Sequence, residues 1–415
     1  MRGKILSHGL GVVLAISAVA LFATTASAAA SETVLHNLSN DGTAAAYPCA
    51  GLIMDAGGNF YGTTCYGGLY NAGTVFELTP NQGGGWTETV LHSFGNGTDG
   101  SVPEAGLIFD ANGNLYGTTS FGGIHDGGTA FELTPTGGGN WTETVLRNFG
   151  GGTDGAIPFS GLVFDANGNL YGTTYQGGIH NHGTVYQLVP RQGGGWTETV
   201  LHSFNNNGSD GALPEASLVF DPAGNLYGTT SAGGIHDYGT AFELAPAQGG
   251  VWTETILHSF NMNGSDGAFP EAGLVIDNAG NLYGTTEQGG IHLSYGTVFE
   301  LTPRDGGGWT ETVLHSFNLN GSDAAYPVAE LIVDSTGNLY GTTSFGGIHN
   351  YGAAFELAPR EGGGWTETVL HSFNLNGADG ANPYAGLTFD AANNLYGTTY
   401  QGGVHAAGTV FEITP

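Results

Sequence analysis

The sequence predicts an all-β fold, a seven-bladed β-propeller built from four-stranded blades. Three observations predict it: one tetrapeptide recurs at a nearly fixed period, each copy contains four strand-like runs, and the two ends of the chain hold complementary strands. The chain has 415 residues, of which 76 are glycines and 40% are hydrophobic. This composition is too apolar for a disordered acidic chain, although acidic residues outnumber basic ones by 36 to 6.

The repeat is marked by the tetrapeptide Tyr-Gly-Thr-Thr, which occurs seven times. Successive copies are 55 to 57 residues apart. A long period that recurs this regularly is typical of solenoids, propellers and other repeat arrays. The seven copies begin at Tyr61, Tyr116, Tyr171, Tyr227, Tyr283, Tyr340 and Tyr396.

Each copy contains four short runs of β-forming residues separated by turn residues. In the fourth copy the first run is 218–220, and a turn at 221–225 leads to the second run, 226–230. A loop then reaches the third run, 240–244, and a glycine-rich hairpin brings the fourth, 252–260. Because no ten-residue stretch shows the 3.6-residue apolar period of a helix, we expect essentially no helix.

The ends of the chain distinguish a closed propeller from an open β-solenoid, which is the alternative that the repeats allow. After residue 28 the chain starts with a fourth-type run, 32–36, and it ends with a third-type run, 409–413. Seven complete blades therefore require the N-terminal strand to complete the last blade, which closes the ring and hides two sheet edges. We expect one propeller domain over residues 29–415.

Residues 1–28 have the pattern of a secretory signal peptide. Arg2 and Lys4 precede a short apolar run, 11–22, and residues 26–28, Ala-Ser-Ala, have the small side chains of a cleavage site. The alternative is a membrane anchor, but the run is shorter than the roughly 20 residues that a spanning helix needs. We therefore expect a secreted or extracellular protein, periplasmic if an outer membrane retains it, with no membrane span and in monomeric form.

The charge of the remaining chain excludes two classes of partner. It keeps four arginines and no lysine against 36 acidic residues, a formal charge of −32. Such a chain cannot neutralise phosphates, so binding to nucleic acid or to anionic lipid is excluded. The charge favours solubility and attracts divalent cations. The sequence indicates no certain cofactor, and a divalent cation such as calcium is the one candidate.

The repeat resembles a known bacterial family. Copies of Asp-x-x-Gly-Asn-Leu-Tyr-Gly-Thr-Thr, followed by Gly-Gly and Gly-Thr-Val-Phe-Glu-Leu-Thr-Pro, are similar to the GloVer (Gloeobacter–Verrucomicrobium) tandem repeat over residues 32–415. The resemblance implies an exported propeller, sometimes with a cell-surface anchor, and no established activity. The turn-and-strand pattern is more distantly similar to NHL-type propellers and to streptogramin lyase, and no catalytic residue carries over from them.

Two recurrent polar positions are expected on one face of the ring, which we call the top. The loops from strand two to strand three and the loops from strand four to the next blade both lie there. The functional interpretation is a ring of imidazoles and carboxylates around the channel that binds a metal ion or a polar ligand. The structural alternative is that each aspartate caps its own turn and each histidine bonds a neighbouring loop. The histidines, with Tyr70 at the matching position of blade one, are His125, His180, His236, His292, His349 and His405. The aspartates are Asp41, Asp99, Asp154, Asp210, Asp266, Asp323 and Asp379.

A second histidine set lies in the fourth strands, with Arg147 in place of one member. These residues share strand parity with the preceding Glu and Trp, so we interpret them as solvated or hydrogen-bonded positions of the outer strand. They are His36, His92, His202, His258, His315 and His371.

One position just before the first strand breaks the symmetry of the repeat. We expect it near the top mouth of the channel, where acidic, aromatic and apolar groups could form a sugar or peptide pocket. Three carboxylates could also perform acid–base chemistry or hold a divalent ion. Ordinary surface variation is the alternative. The position is Glu104, Glu215 and Glu271 in three blades, and Cys49, Phe159, Val328 and Tyr384 in the other four.

The two cysteines are expected to form a disulfide. Asp55 and Asn59 flank the first hairpin turn, and Cys49 and Cys65 each lie six residues outward from one of them. Antiparallel pairing would place the cysteines opposite one another, and exported proteins fold in an oxidising environment. Binding of a metal ion by the two thiols is the alternative.

The sequence contains no nucleophile elbow, zinc-protease helix, phosphate loop or dinucleotide fingerprint. It therefore favours a non-enzymatic binding or scaffold module for an extracellular glycan or protein. A divalent-cation-dependent lyase or lactonase acting at the top mouth is the second hypothesis. An acidic structural component of a surface layer is the third.

Overall fold

The structure, a computed structural model, describes residues 30–415. These residues form seven four-stranded antiparallel sheets and seven two-stranded sheets, and they contain no helix. The predicted all-β, seven-bladed propeller is therefore confirmed. The predicted signal peptide, residues 1–28, lies outside the described residues.

The four strands of each blade follow one another outward from the channel, with the first strand innermost. The first strands are Ile53–Met54, Ile108–Phe109, Val163–Phe164, Val219–Phe220, Val275–Ile276, Ile332–Val333 and Thr388–Phe389. The second strands are Phe60–Thr64, Leu115–Thr119, Leu170–Thr174, Leu226–Thr230, Leu282–Thr286, Leu339–Thr343 and Leu395–Thr399. The third strands are Thr74–Pro80, Thr129–Gly137, Thr184–Pro190, Thr240–Pro246, Thr297–Pro303, Ala353–Pro359 and Thr409–Thr414. The fourth strands, from blade one to blade seven, are Trp86–Ser93, Asn140–Asn148, Trp196–Ser203, Trp252–Ser259, Trp309–Ser316, Trp365–Ser372 and Ser31–Asn37.

The ring closes in the way that the chain ends predict. The N-terminal strand Ser31–Asn37 pairs antiparallel with Thr409–Thr414 and is the fourth strand of blade seven. Both strands would otherwise present unpaired backbone groups, so their pairing protects two edges at once.

The Tyr-Gly-Thr-Thr motif recurs because each of its side chains has a structural task. In blade one the Tyr61 hydroxyl donates to Glu77 Oε1 at 2.9 Å, which ties the second strand to the third. Thr63 Oγ1 donates to the carbonyl of Ala105 in the next blade at 2.9 Å. Thr64 Oγ1 shares a 2.7 Å hydrogen bond with Thr74 Oγ1. The motif therefore holds strands within a blade and also links neighbouring blades.

The glycine of the motif leaves room for an aromatic ring. A Cβ on Gly117 would lie 2.7 Å from Phe131 Cζ and 3.0 Å from Leu107 Cδ2. Because real Cβ atoms do not approach carbon so closely, any larger residue would displace the buried phenylalanine of the third strand.

The hydrophobic core is divided into seven clusters, one between each pair of neighbouring blades. Between blades one and two, Tyr61, Val75 and Phe94 pack against Leu115 and Phe131. All five side chains are buried. The stability of each blade therefore depends on its neighbours, which favours a closed ring.

Every fourth strand contains a β-bulge. In blade one the register skips Leu91, so that Val90 lies opposite Phe76 and His92 lies opposite Val75. Adjacent residues of the third strand point to opposite faces of the sheet, so the bulge turns the histidine away from the face of the preceding Glu and Trp. The predicted shared parity of these residues is therefore wrong, because a single extra residue reverses the alternation.

Seven two-stranded sheets on the top face join the two kinds of top loop, a feature that the sequence analysis did not predict. Each pairs residues from the loop after a fourth strand with residues that follow the next second strand, which fixes the two loops against one another. The pairs are Ala45–Ala46 with Tyr66–Gly67, Gly100–Ser101 with Phe121–Gly122, Gly155–Ala156 with Gln176–Gly177, Gly211–Ala212 with Ala232–Gly233, Gly267–Ala268 with Gln288–Gly289, Ala324–Ala325 with Phe345–Gly346, and Gly380–Ala381 with Gln401–Gly402.

Within residues 30–415, no helix has the length and apolar character that crossing a membrane requires.

Candidate functional site

A cavity of about 400 Å³ opens at the top mouth of the channel. The symmetry-breaking position before the first strand lines this cavity in all seven blades. The residues are Cys49, Glu104, Phe159, Glu215, Glu271, Val328 and Tyr384. Cys65, Tyr66, Val102 and Tyr400 complete the lining. The fold thus brings a position that varies between blades to one place.

Tyrosines form one side of the mouth. Tyr384, Tyr400, Tyr47 and Tyr66 follow one another in an arc, with successive ring centroids 5.6, 5.4 and 5.9 Å apart. Tyr66 and Tyr384 are about 40% exposed. Aromatic rings held in this way provide apolar faces with polar hydroxyl tips, which suits a ligand that has both kinds of surface.

Carboxyl groups form the other side. The Ser231 hydroxyl donates to Glu215 Oε1 at 2.7 Å, and Ser120 donates in the same way to Glu104. Burial, together with the charges of Glu215 and Glu287, raises the pKa of Glu271 to about 8. Burial also raises the pKa of Glu104 and of Glu215. A carboxyl group with so high a pKa is protonated at neutral pH, so Glu271 can donate a hydrogen bond as well as accept one.

A further carboxyl group, that of Glu330, lies in the channel itself. It lies among the residues that line a second cavity of about 370 Å³, together with Gly51, Gly106 and Gly161 from other blades. Its carboxylate lies beside Gly273, where an added Cβ would be 3.1 Å from Oε2. The side chain is exposed to the channel but enclosed by the inner strands, and this enclosure raises the pKa of Glu330 to about 7.

A disulfide joins Cys49 to Cys65, with their Cα atoms 5.9 Å apart. Ile53 lies opposite Tyr61 in the first hairpin, and Cys49 and Cys65 each lie four residues further outward from this pair. The hairpin therefore has the register from which the disulfide was predicted. The disulfide forms part of the wall of the mouth.

The loop histidines lie away from the mouth. All six are exposed, and none of them lines the cavity. Each follows an aliphatic residue that is also strongly exposed, between 63 and 72%. The structure therefore gives the top face seven exposed aliphatic side chains, one from each blade. They are Leu69, Ile124, Ile179, Ile235, Ile291, Ile348 and Val404.

The recurrent aspartates do not join the loop histidines in one ring, which was the functional interpretation of the two sets. Asp41 is exposed and accepts hydrogen bonds from the backbone N–H groups of Thr43 and Ala44, at 2.9 and 3.0 Å. The other six lie at blade junctions, beside the fourth-strand histidine or arginine. The bulge explains this arrangement, since it turns those residues toward the junction. The pairs are His92 with Asp99, Arg147 with Asp154, His202 with Asp210, His258 with Asp266, His315 with Asp323, and His371 with Asp379.

Sequence reasoning missed Glu287, Glu330 and the two tyrosines Tyr66 and Tyr400. Glu330 had a readable signal, because five of the other blades have glycine at this position and the sixth has Ser217. Glu287 and Tyr400 follow the Tyr-Gly-Thr-Thr motif directly, at a position that also varies between blades. Variation between otherwise identical repeats was therefore a sufficient guide to three of these four residues.

Comparison with known families gives one match. The family model described as the Gloeobacter/Verrucomicrobia repeat matches residues 17–186 and 274–415. A comparison with curated proteins gives no match.

Several solved structures have a similar fold. A proposed 6-phosphogluconolactonase from Bacteroides uniformis has a TM-score of 0.50 and 15% identity, over 78% of this chain and 84% of its own. An ancestral GH74 enzyme has a TM-score of 0.56 and 11% identity, over 92% of this chain and 50% of its own. The extracellular domain of a proposed hybrid two-component system from B. thetaiotaomicron has a TM-score of 0.54 and 11% identity, over 91% of this chain and 39% of its own. At these identities the likeness extends to the fold alone.

Proposed function

The chain belongs to the Gloeobacter/Verrucomicrobia repeat family, and from that premise we propose that it is an exported, non-enzymatic binding module whose top mouth binds a glycan. The observation that carries the proposal is the contrast between the mouth and the rest of the ring. The blades repeat almost the same framework, whereas the repeat position that lines the mouth has five different residue types in the seven blades. A framework needs repetition, and a specific ligand site needs an asymmetric set of groups.

The chemistry of the mouth suits a sugar. The arc from Tyr384 to Tyr66 offers ring faces to the apolar C–H side of a pyranose, while its hydroxyls remain free to bond. Across the cavity, Glu104 and Glu215 can accept hydrogen bonds from sugar hydroxyls, and protonated Glu271 can donate one. A volume of about 400 Å³ is within the usual range for small-ligand sites and holds one or two sugar units.

The surface around the mouth supports binding of a polymer or of a glycan-bearing protein. The seven exposed aliphatic residues of the top loops each precede an exposed polar or aromatic residue, His in six blades and Tyr70 in blade one. These apolar side chains are available for contact with a ligand that extends beyond the mouth. A chain end held in the mouth would leave the following units to lie over this face.

Two further features support export of the protein. The disulfide between Cys49 and Cys65 is stable in an oxidising compartment and rare in a reducing one. The sequence pattern of residues 1–28 is that of a signal peptide. We place the protein outside the cytoplasmic membrane and expect it to act as a monomer.

Binding of oligosaccharides to the purified protein tests the proposal. We expect at least one oligosaccharide on an array of bacterial and plant glycan fragments to bind, and titration calorimetry to show that Tyr384→Ala weakens it at least tenfold. The control is Val251→Ala, which shortens an exposed apolar side chain in an outer hairpin, away from the top face and outside the cavity. An array without binding contradicts the proposal, as does an equal loss in both variants.

A lyase or hydrolase activity at the same mouth is the second candidate. The observation that favours it is the proximity of Glu215 and Glu271, since a carboxyl group with a pKa of about 8 is a competent acid at neutral pH. The cation-dependent form has less support, because within residues 30–415 no group of three metal-ligand side chains within 4.8 Å of one another includes a mouth glutamate. Turnover of a bound oligosaccharide that Glu271→Gln abolishes, with binding retained, would favour the enzyme over the binding module.

A further inference from the structure

The junctions between blades contain groups of polar side chains that the mouth does not use. One blade supplies the residue after the fourth-strand bulge and the aspartate of the loop that follows, and the next blade supplies its fourth-strand glutamate. We call each such group a junction cluster. In four of them, one ligand-type atom from each member lies within 4.8 Å of the other two. These clusters are His202, Asp210 and Glu254; His258, Asp266 and Glu311; His315, Asp323 and Glu367; and His371, Asp379 and Glu32.

The junction of blades two and three shows that such a site holds a cation. Here Arg147 replaces the histidine, and its Nη2 lies 2.5 Å from Asp154 Oδ2 and 2.6 Å from Glu198 Oε2. One positive charge therefore lies between the same two carboxyl groups that the histidine clusters contain. The side chains of Asp154 and Glu198 are only 3% and 6% exposed, so the cation offsets a large desolvation cost.

In the histidine clusters an imidazole takes the place of the guanidinium beside the two carboxyl groups. Buried oxygens of the fourth-strand glutamates lack hydrogen-bond partners, for example Oε1 of Glu254. Of the four histidine clusters, the one between blades five and six has the most unpaired atoms. His315 Nε2, Asp323 Oδ1 and Glu367 Oε1 are all buried, and none of the three has a hydrogen-bond partner. Buried polar atoms are rarely left unpaired. Unpaired atoms also occur at the Arg147 junction, on Arg147 Nε, Asp154 Oδ1 and Glu198 Oε1, so what distinguishes this cluster is that each residue of a possible metal-ligand set has an unpaired atom.

The spacing of these atoms is compatible with ligands around a metal ion. His315 Nε2 lies 3.5 Å from Asp323 Oδ1, which is too long for a hydrogen bond to a charged group. Around zinc, bond lengths of roughly 2.0–2.1 Å in tetrahedral geometry place neighbouring ligand atoms about 3.3–3.4 Å apart. His202 Nε2 lies 3.3 Å from Asp210 Oδ1, a long hydrogen bond, and 3.6 Å from Glu254 Oε1, and both distances are close to that spacing.

We propose that the junction clusters of His202, Asp210 and Glu254 and of His315, Asp323 and Glu367 each bind one divalent transition-metal ion of the zinc type. An imidazole nitrogen and two carboxylates supply three ligands, and water supplies the fourth. The ion neutralises the two carboxylates, as the guanidinium of Arg147 does at its own junction. Each ion joins two neighbouring blades and so acts as a cross-link within the ring. This inference does not depend on what the mouth binds.

The donor set also selects the metal and separates these junctions from the other two. Calcium prefers oxygen ligands alone, so a site with an imidazole nitrogen favours zinc or a similar ion. In the remaining clusters the histidine is closer to its aspartate, 3.0 Å for His258 and 3.1 Å for His371, which is a normal hydrogen bond. A proton shared within those pairs satisfies the histidine without a metal.

Metal counting on the purified, untagged protein tests the proposal. After removal of metals with a chelator, titration with Zn²⁺ should saturate at two ions per chain, and excess Ca²⁺ should not displace them. Co²⁺ in place of Zn²⁺ should give the intense visible absorption of tetrahedral cobalt. His315→Gln and His202→Gln should each remove one ion. The control is His292→Gln, which changes an exposed histidine of blade five and should leave the stoichiometry at two.

Three results would overturn the proposal. One is a stoichiometry that His315→Gln and His202→Gln leave unchanged. Another is loss of all bound Zn²⁺ to excess Ca²⁺, which would indicate general attraction to an acidic surface. The third is the weak spectrum of octahedral cobalt on the unmodified protein, a measurement that needs no variant. If His315→Gln does not fold, Asp323→Asn tests the same cluster with a smaller change in shape.

Discussion

Thr398 donates a hydrogen bond from Oγ1 to the carbonyl of Ala50 at 3.1 Å, although 348 positions separate the two residues in the chain. The same bond links neighbouring blades at the other junctions, as between Thr229 and Ala272. The junction that closes the ring is therefore built like the internal ones. A closed ring leaves every blade with a neighbour on both faces, and so each of the seven core clusters is complete.

Deletion of the N-terminal strand Ser31–Asn37 should open blade seven. The strand Thr409–Thr414 would lose its partner and become an exposed edge, which favours association between molecules. We expect light scattering to show oligomers and urea unfolding to occur at a lower midpoint. A synthetic peptide of residues 30–38 should restore the monomer. A truncated protein that remains monomeric and equally stable would show that the strand is dispensable.

Gly117→Ala should destabilise the protein by about 1–3 kcal/mol, because the new methyl group overlaps the Phe131 ring. Gly106→Ala is the matched control, since a Cβ at that position has no atom within 4 Å. Urea unfolding of the two variants measures the difference. Equal stability of both would mean that the core of the blade adapts to the methyl group.

Removal of the disulfide with Cys49→Ser and Cys65→Ser together should lower the free energy of unfolding by about 3 kcal/mol. The bond closes a loop with a sequence separation of 16, and loops of this size lose entropy of about that value when cross-linked. Reductant should destabilise the original protein by a similar amount and leave the double variant unchanged. A reductant effect on the double variant would point to another cause.

The blades could be predicted because turn glycines, strand alternation and the Tyr-Gly-Thr-Thr motif recur at a fixed period. The position of Glu104, Glu215 and Glu271 could be predicted for a related reason. Residues just before the innermost strand must lie near the channel in any propeller, and a difference between blades there is visible in the sequence. Both inferences depend on topology and need no exact side-chain direction.

The junction clusters could not be predicted, because they depend on the direction of single side chains. Alternation along the fourth strand places Glu88 and His92 on one face, and the bulge at Leu91 places them on opposite faces. His92 therefore meets the glutamate of the next blade and not its own. Nothing in the local sequence marks the bulge, since Val, Leu and His are all compatible with a regular strand.

Glu330→Gln should make the stability of the protein less dependent on pH. Burial raises the pKa of Glu330 to about 7 in the folded protein, from the ordinary value of 4.5 that the unfolded chain retains. Between these values the folded state binds a proton that the unfolded state does not, so the free energy of unfolding falls as the pH rises from about 4.5 to about 7. Glutamine cannot ionise, so the free energy of unfolding of the variant does not fall in this way as the pH rises.

At pH 4 and below, the variant and the original protein should therefore be similarly stable, whereas at pH 8 the variant should be more stable by roughly 1 kcal/mol. This figure allows for solvent in the channel, which screens the carboxylate. Urea unfolding at several pH values measures the effect. Glu361→Gln, which changes an exposed glutamate of the outer hairpin in the same blade, should show no such gain. A gain of equal size in both variants would mean that net negative charge, and not the enclosed carboxyl group in the channel, limits stability at high pH.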